Sequence, residues 1–582
     1  MRPTLLLLLL LTIPALAQTK PTTAPTTQPL TRDAEVKRLF DFLTAEYGRL
    51  FQKNKDWVNR AVAIISLSRL PTDGATNKIL EQMQSERHPV GKLVAWQAML
   101  GRAKLLTDLQ YRAFYAETIK MLRAGLFAGD LRIALMEVLS ATPVTIDSRN
   151  YWKEVFVTTS ALDSSDVPTL IAMGKAVRAW GDPVLYEALI AAMLEPDIAP
   201  RAELILKAAG AQVPWTLSRE ARVTYDKWWK ANKAELTAAK PPADGWKRLA
   251  AQYVPGPEDA AKVNPKDPRW YKELELGPLG VKSFDAVFCI DCSRSMGPEI
   301  ERLKRDLRVI HAALAQVAVE ARIGVTQFAP GNTVELIPLS GNIGALAKTV
   351  QGIGIIGPAG DEEWAGSVDR SIKENKWASV GDRNRRVIVI ISDEPISPDQ
   401  HTRLTAIATR AAKDSFRIYG VTIRPANVVT DPLRVAFDRT GDDDDDAPPS
   451  PPAAMRPGMR RRPGGAGGPG GKGWAAYDEV ARLTGGSVVH ARVPQGTFGL
   501  GGAPPPGYEG AIAPVYPAGG PNNRLLTRVL TDAINPQYAD RVEPLVKVLI
   551  AYSQKSAVHE PEKRGKFGSG GLPASFPDER RK

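Results

Sequence analysis

Cysteine and histidine are scarce. The chain has 582 residues, but only two cysteines, Cys289 and Cys292, and five histidines. Two thiols three positions apart cannot staple a disulfide framework. Cys289 lies inside an apolar run and Cys292 just beyond it, whereas a redox-active pair opens a helix. Two buried or half-buried thiols are therefore expected, with a strained disulfide as the alternative. No histidine stands in H-E-x-x-H and no G-x-S-x-G elbow is present, which argues against zinc-peptidase and serine-hydrolase chemistry. Past Leu5–Leu11 no apolar stretch reaches membrane length. The net charge is +12, but the basic residues are scattered and not interleaved with aromatics. That pattern argues against a nucleic-acid partner.

What is present falls into blocks. A chain this long holds two or three domains, and 43% hydrophobic with 24% charged residues is ordinary for globular protein. Arg2, Leu5–Leu11, Pro14 and Ala15-Leu16-Ala17 have the order of a secretory signal, cleaved between Ala17 and Gln18. No cysteine follows to carry a lipid. Residues 1–17 thus predict an exported protein, periplasmic, envelope-associated or secreted, and not integral to a membrane once cleaved. A single N-terminal anchor is the alternative. Residues 18–32 are a Pro/Thr-rich spacer.

Residues 33–236 carry apolar residues at helical spacing, as in Trp57, Ala61 and Ile64/Ile65, or Leu131, Leu135 and Val138. Breakers such as Pro71-Thr72-Asp73-Gly74 and Gly181-Asp182-Pro183 separate them. Helix starts recur every thirty to forty residues, roughly, which predicts an all-α, solenoid-like domain. It weakly resembles degenerate HEAT-like repeats; a non-repetitive bundle is the alternative. The stretch Tyr225-Asp-Lys-Trp-Trp-Lys is expected to close the array. Residues 237–282 are too proline-dense for a long helix and read as a connector, pinned by Trp246, Trp270 and Tyr271.

From Phe284 strands and helices alternate. Strands are expected at 286–290, 323–328, 334–337 (an antiparallel edge), 386–391, 416–423 and 487–490, and helices at 298–320, 342–351, 363–374, 399–413 and 474–483. This is a doubly wound α/β domain, 283–492, interrupted at 441–473 by an acidic block (Asp442–Asp446) and a Pro/Gly/Arg block that read as disordered. A Gly/Pro linker (493–523), a helical segment (524–552) broken at Pro536 and Pro544, and a loose tail (553–582) complete the chain.

The chemistry concentrates in FDAVFCIDCSRSM, 284–296. Its buried parallel strand stops at Asp291-x-Ser293-x-Ser295, where α/β sheets place ligands. All three side chains offer oxygen, the donor a hard cation prefers. A second apolar strand ends in Ser392-Asp393, and a glycine-rich turn delivers Asp361 before a helix. These elements, with GPAGDEEWAGSVDRSI and RVIVIISDEPI, resemble the von Willebrand factor type A (VWA) family over about 284–492. The resemblance implies a metal-ion-dependent adhesion site. Ser293 and Ser295 would ligate Mg2+ directly, with Mn2+ or Ca2+ as alternatives, while Asp291 and Asp393 act through waters and hydrogen bonds. Where the family usually supplies a threonine this chain offers Asp361, with Glu362 as a fallback. A carboxylate there would hold the metal tighter and make its open position less electrophilic. Arg294 stands where the family often has glycine.

The resemblance implies binding and not turnover: a protein partner's Asp or Glu completes the coordination, and the chain is an exported adhesion or scaffolding protein rather than an enzyme. The competing reading is a metal-assisted hydrolase using Asp291, Asp361, Glu362 and Asp393. A third is a scaffold with an inactive metal site.

Overall fold

The computed structural model describes residues 30–127, 130–142, 167–195, 198–213, 221–238, 244–249, 257–272, 274, 279–329, 333–356, 362–426, 472–494 and 521–559. The signal-like residues, residues 441–471 of the insertion and Asp361 lie outside these.

Ten helices are described before the connector: α1 Arg32–Lys53, α2 Trp57–Ser68, α3 Asp73–Ser85, α4 Pro89–Gly101, α5 Asp108–Arg123, α6 Asp130–Ser140, α7 Val167–Trp180, α8 Pro183–Ala192, α9 Ala199–Ala208 and α10 Ala221–Ala238. The breaker segments double as caps. Thr72 accepts from Ala75 N to start α3, and Asp182 accepts from Val184 N behind Pro183 to start α8; each satisfies an otherwise orphaned helix donor. Thr107 and Gln110 form a reciprocal capping box on α5.

Helices pack on their neighbour and on the next but one. Thus α2 lies against α4, α3 against α5, α7 against α9 and α8 against α10. This two-layered stacking is solenoid-like. Gly174 permits the α7–α9 approach, since a Cβ there would stand 2.4 Å from the Ile205 carbonyl oxygen. Arg102 is fully buried without a carboxylate. Its guanidinium donates to the carbonyls of Ser68 (2.9 Å), Leu70 (2.6 Å) and Thr72 (2.8 Å) and to Thr76 Oγ1, collecting the carbonyls left open after α2. Tyr186 of α8 stacks on Trp229 of α10 at 4.6 Å, so the aromatic-basic helix packs on the array. In the connector, Trp246 stacks on Tyr111 at 4.3 Å and Trp270 meets Phe40 edge-on at 6.2 Å. Tyr271 is 40% exposed.

The α/β part holds a six-stranded sheet in the order β3-β2-β1-β4-β5-β6: β1 Val281–Asp291, β2 Ala318–Ala329, β3 Thr333–Ser340, β4 Asn384–Ser392, β5 Phe416–Ala426 and β6 Val488–Pro494. All neighbours pair in parallel except β2 with β3, the antiparallel edge. Helices α11 (Gly297–Val317) and α12 (Ile343–Gln351) cover one face. Helices α13 (Trp364–Glu374), α14 (Pro398–Lys413) and α15 (Lys472–Leu483) cover the other. This is the expected doubly wound architecture.

Several boundaries differ from the sequence reading; the last helix, for one, runs on to His559 where a loose tail from 553 is expected. Residues 318–320 open β2 rather than close α11, because Val281 already pairs with Ala318. Backbone pairing extends β1 beyond the apolar run that marks its middle. The C-terminal segment is interrupted once and not twice: α16 (Pro521–Ile534) and α17 (Ala539–His559) flank residues 535–538, and Pro544 sits inside α17. A proline removes only one backbone donor there, and the burial of Leu545, Val546 and Leu549 outweighs that loss.

Helix α16 completes the first face against β5, β6 and α11. Its carboxyl end is held by Arg385 Nε donating to Ala533 O (2.7 Å), Arg417 to Asp532 O (3.1 Å) and Tyr419 OH to Asp532 Oδ2 (3.0 Å). Helix α17 then runs between α11 and the helices α2, α4 and α6. Buried Arg541 donates to Ser66 Oγ at 3.2 Å, and Asp540 pairs with Arg69 at 3.0 Å. One continuous apolar core therefore runs from the helical array through α17 to the sheet. Among the described residues no helix is long and apolar enough to cross a membrane.

The cysteines are free and fully buried. Cys289 joins the core cluster under α13 and Cys292 the cluster on the opposite side, so the strained-disulfide alternative fails. Burial pushes the Cys289 thiol up to about 11. Burial and the charges of Asp291, Glu335 and Glu362 push Cys292 up to about 12.

Candidate metal centre

Strand β1 ends where chain direction in the sheet reverses: β2 lies on one side of it and β4 on the other. The carboxyl ends of two such strands diverge and open a crevice. Asp291 ends β1 with its carboxylate wholly buried. Its Oδ1 accepts from Ser293 N at 2.9 Å, turning the chain at once out of the strand. A single 3-10 turn, Arg294–Met296, follows, and α11 begins at Gly297. Cys292 fixes this loop on both sides: its N donates to Phe328 O (2.8 Å) and its O accepts from Ile356 N (3.0 Å).

Four of the five residues singled out from the sequence come together. Ser293 Oγ and Ser295 Oγ are 3.1 Å apart, and Ser295 Oγ donates to Asp393 Oδ1 at 3.1 Å. The fifth, Asp361, lies outside the described residues. Glu363 is committed elsewhere. It caps α13 through Gly366 N (3.1 Å) and accepts from Gln400 Nε2 (3.1 Å) and Arg403 (2.8 Å). The fallback Glu362 is fully buried and raises the Cys292 thiol.

Sequence reasoning did not assign Ser392 a role. Its buried Oγ donates to Asp291 Oδ2 at 2.7 Å and accepts from Glu394 N at 3.1 Å. The hydroxyl thereby ties the end of β1 to the loop that carries Asp393. Its position, strand-final and just before Asp393, was a usable signal. Tyr477 of α15 had none: its OH donates to Glu394 O at 2.9 Å from beyond the insertion.

The three carboxyls here are poorly compensated. Burial raises Asp291 against the hydroxyl and amide donors of Ser392 and Ser293. Burial, then the charge of Asp291, lift Asp393 to about 6 against the Ser295 hydroxyl. Burial and both of these charges raise Glu394. Among the described residues it is hydroxyl and amide donors, not a lysine or arginine, that oppose these rises, and a bound cation would relieve them.

The spacing also fits. Mg2+ takes six oxygens octahedrally at 2.0–2.1 Å, which sets adjacent ligand oxygens about 2.9 Å apart. The 3.1 Å between the Ser293 and Ser295 hydroxyls is close to such an edge, and Asp393 stands one hydrogen bond behind Ser295. Among the described residues no three His, Cys, Asp or Glu side chains gather as a metal-ligand set. The donors here are two carboxylates with two hydroxyls, which suits Mg2+ and not zinc. His490 binds Thr422 Oγ1 (2.7 Å) and Asp478, and His401 pairs with Glu479.

Comparison with protein-family models and with curated proteins gives no match. Three solved structures are similar at low identity. An aerotolerance-related membrane protein from Bacteroides fragilis, carrying multiple mutations to serine, is 15% identical, with 36% of this chain and 92% of that chain covered and a TM-score of 0.22. The conserved hypothetical protein BatB from Bacteroides thetaiotaomicron is 13% identical, with 36% and 90% covered and a TM-score of 0.23. The VWA domain of SpRpn10 is 16% identical, with 28% and 84% covered and a TM-score of 0.20. The fold class rests on the strand order and polarity above, not on these likenesses.

Proposed function

We propose that this chain is a protein-interaction scaffold whose α/β domain binds an acidic side chain of a partner protein through Mg2+. The observation that carries the reading is the cluster at the carboxyl ends of β1 and β4. The Ser293 and Ser295 hydroxyls stand 3.1 Å apart there, with Asp393 bonded to Ser295 and Asp291 to the Ser293 amide. In this reading Ser293 and Ser295 present their hydroxyl oxygens to the ion. Asp291, oriented by Ser293 N and Ser392 Oγ, and Asp393, oriented by Ser295, accept hydrogen bonds and balance its charge. Asp361 is the remaining proposed ligand. When bound, Mg2+ supplies an exchangeable coordination position that a carboxylate can fill.

The helical array, HEAT-like in this reading, supplies a second binding surface joined to the first through α17. Residues 1–17 mark the protein for export.

The test is calorimetric titration of the full chain with Mg2+ and Mn2+, beside the double variant Ser293→Ala/Ser295→Ala. One saturable site is expected in the wild type and none in the variant. Equal heats in the two would remove the reading. Metal binding coupled to turnover of a phosphoester or peptide panel would replace it with hydrolysis.

A further inference from the structure

Arg294 occupies the middle of the serine pair, yet it takes no part in the cluster. Its side chain is exposed and, among the described residues, makes no hydrogen bond or ion pair, although the uncompensated carboxyls of Asp393 and Glu394 belong to the same set of loops. The backbone explains this. Residues 294–296 form a 3-10 turn closed by Met296 N donating to Ser293 O at 3.1 Å, and Met296 is anchored in the core. With Ser293 and Met296 turned inward, Arg294 is carried outward. An exposed guanidinium that sits between Ser293 and Ser295 in the chain, with no partner among the described residues, is available to a partner's anion.

A second feature lies against the same turn. In the stretch 353–356, Ile353 is buried, Ile356 packs on the core and donates its N to Cys292 O at 3.0 Å, but Ile355 is 54% exposed. Its position is fixed by contact with the start of α11: a Cβ on Gly297 would stand 3.4 Å from Ile355 Cδ1. One exposed isoleucine is unremarkable on a surface. One held against Gly297, three residues after Arg294 in the chain, next to a residue bonded to Cys292 O, is the apolar half of a recognition surface.

We propose that Arg294 and Ile355 form a specificity rim, and that the partner is a protein segment with a second acidic residue and an apolar residue close to its metal-binding carboxylate. This rests on the metal-dependent reading above. The second carboxylate pairs with the guanidinium fork and the apolar side chain covers Ile355. The rim belongs to this chain's own residues, since neither is a proposed ligand of the ion.

The experiment uses a displayed random peptide library with one fixed Asp, selected on the full chain in Mg2+ and counter-selected in EDTA. On the wild type, peptides with an acid and an apolar residue near the fixed Asp are expected to be enriched. On R294E the charge preference should invert to Lys or Arg, a change of about ten-fold or more for a close interfacial charge pair. On I355S the apolar preference should fall while the acidic one stays. Calorimetry of R294E with Mg2+ is run in parallel. Its added negative charge attracts the cation, so an inverted preference cannot be ascribed to lost metal. Absence of Mg2+ binding in the wild type overturns the metal reading and the rim with it. Mg2+ binding without enrichment of acids, or with enrichment indifferent to R294E, overturns the rim alone.

Discussion

Replacing Asp393 with Asn should make the metal-free protein more stable and the Mg2+-loaded protein less so. The isosteric amide oxygen can still accept the Ser295 hydroxyl, which lies 3.1 Å from Asp393 Oδ1. What the substitution removes is a charge held at a cost. Burial and the neighbouring Asp291 raise the Asp393 carboxyl from its ordinary 3.8 to about 6. At 1.36 kcal/mol per pH unit that difference is about 3 kcal/mol at most. The carboxyl is only half-buried, so solvent screening reduces it to about 1–2 kcal/mol. The sign follows from linkage. Below 3.8 the carboxyl is protonated in folded and unfolded chains alike, and variant and wild type should match. As pH rises from 3.8 the unfolded chain ionises first, the wild type loses stability, and the deficit levels off above about 6. In Mg2+ the order reverses, because a ligand at a hundred times its Kd adds about 2.7 kcal/mol to whichever protein binds it. Denaturation midpoints for both proteins in EDTA and in Mg2+, across about pH 4 to 8, give the comparison. A variant less stable than wild type in EDTA at neutral pH, or one that gains as much from Mg2+, would refute the electrostatic account of the site.

Ser392→Ala breaks the tie between Asp291 and the Asp393 loop and strands two buried groups; a loss of about 2–4 kcal/mol and weaker Mg2+ binding are expected in denaturation and calorimetry, with Ser392→Thr restoring both. Neither cysteine should react with an aromatic disulfide reagent in the native protein, because burial hides both thiols and raises them to about 11 and about 12; two should titrate after denaturation. Leu549→Ala in α17 should cost about 2–5 kcal/mol. Since the core runs unbroken from α2 and α4 through α17 to α11, calorimetry should show that loss in the unfolding of both halves together.

The shared core alters how the two halves relate. A proline-dense connector between a helical array and an α/β domain suggests a hinge. Instead the chain returns after β6, and α17 fills the space between α11 and the array, with Arg541 and Asp540 contacting Ser66 and Arg69. Helix α11 begins at Gly297, two residues after Ser295, so the loop of Ser293 and Ser295 is linked to the array through the packed helices α11 and α17.

The sequence by itself determined the alternation of elements, the identity of the buried strands and four polar residues that the fold brings together. Those signals are local: an apolar run long enough for a buried strand, stopped by oxygen-bearing side chains, is legible one residue at a time. The breaks at Pro71–Gly74 and Gly181–Pro183 were legible for the same reason, although the capping by Thr72 and Asp182 appeared only in the structure. Tertiary structure decided what depends on partners remote in the chain. Backbone pairing with Ala318 extended β1 beyond its apolar centre. Packing carried α17 through Pro544 as one helix. The sheet register set Ser392 beside Asp291 and turned Cys289 and Cys292 to opposite sides. Tyr477 reached Glu394 from beyond the insertion, and Arg294 was left facing outward, without a partner among the described residues. In each case the deciding energy is a contact between distant segments, which periodicity and composition do not encode. For the stretch 284–296, the sequence therefore carried which atoms could hold a cation. Only the fold decided that the Ser293 and Ser295 hydroxyls stand 3.1 Å apart with Asp393 within a hydrogen bond of Ser295.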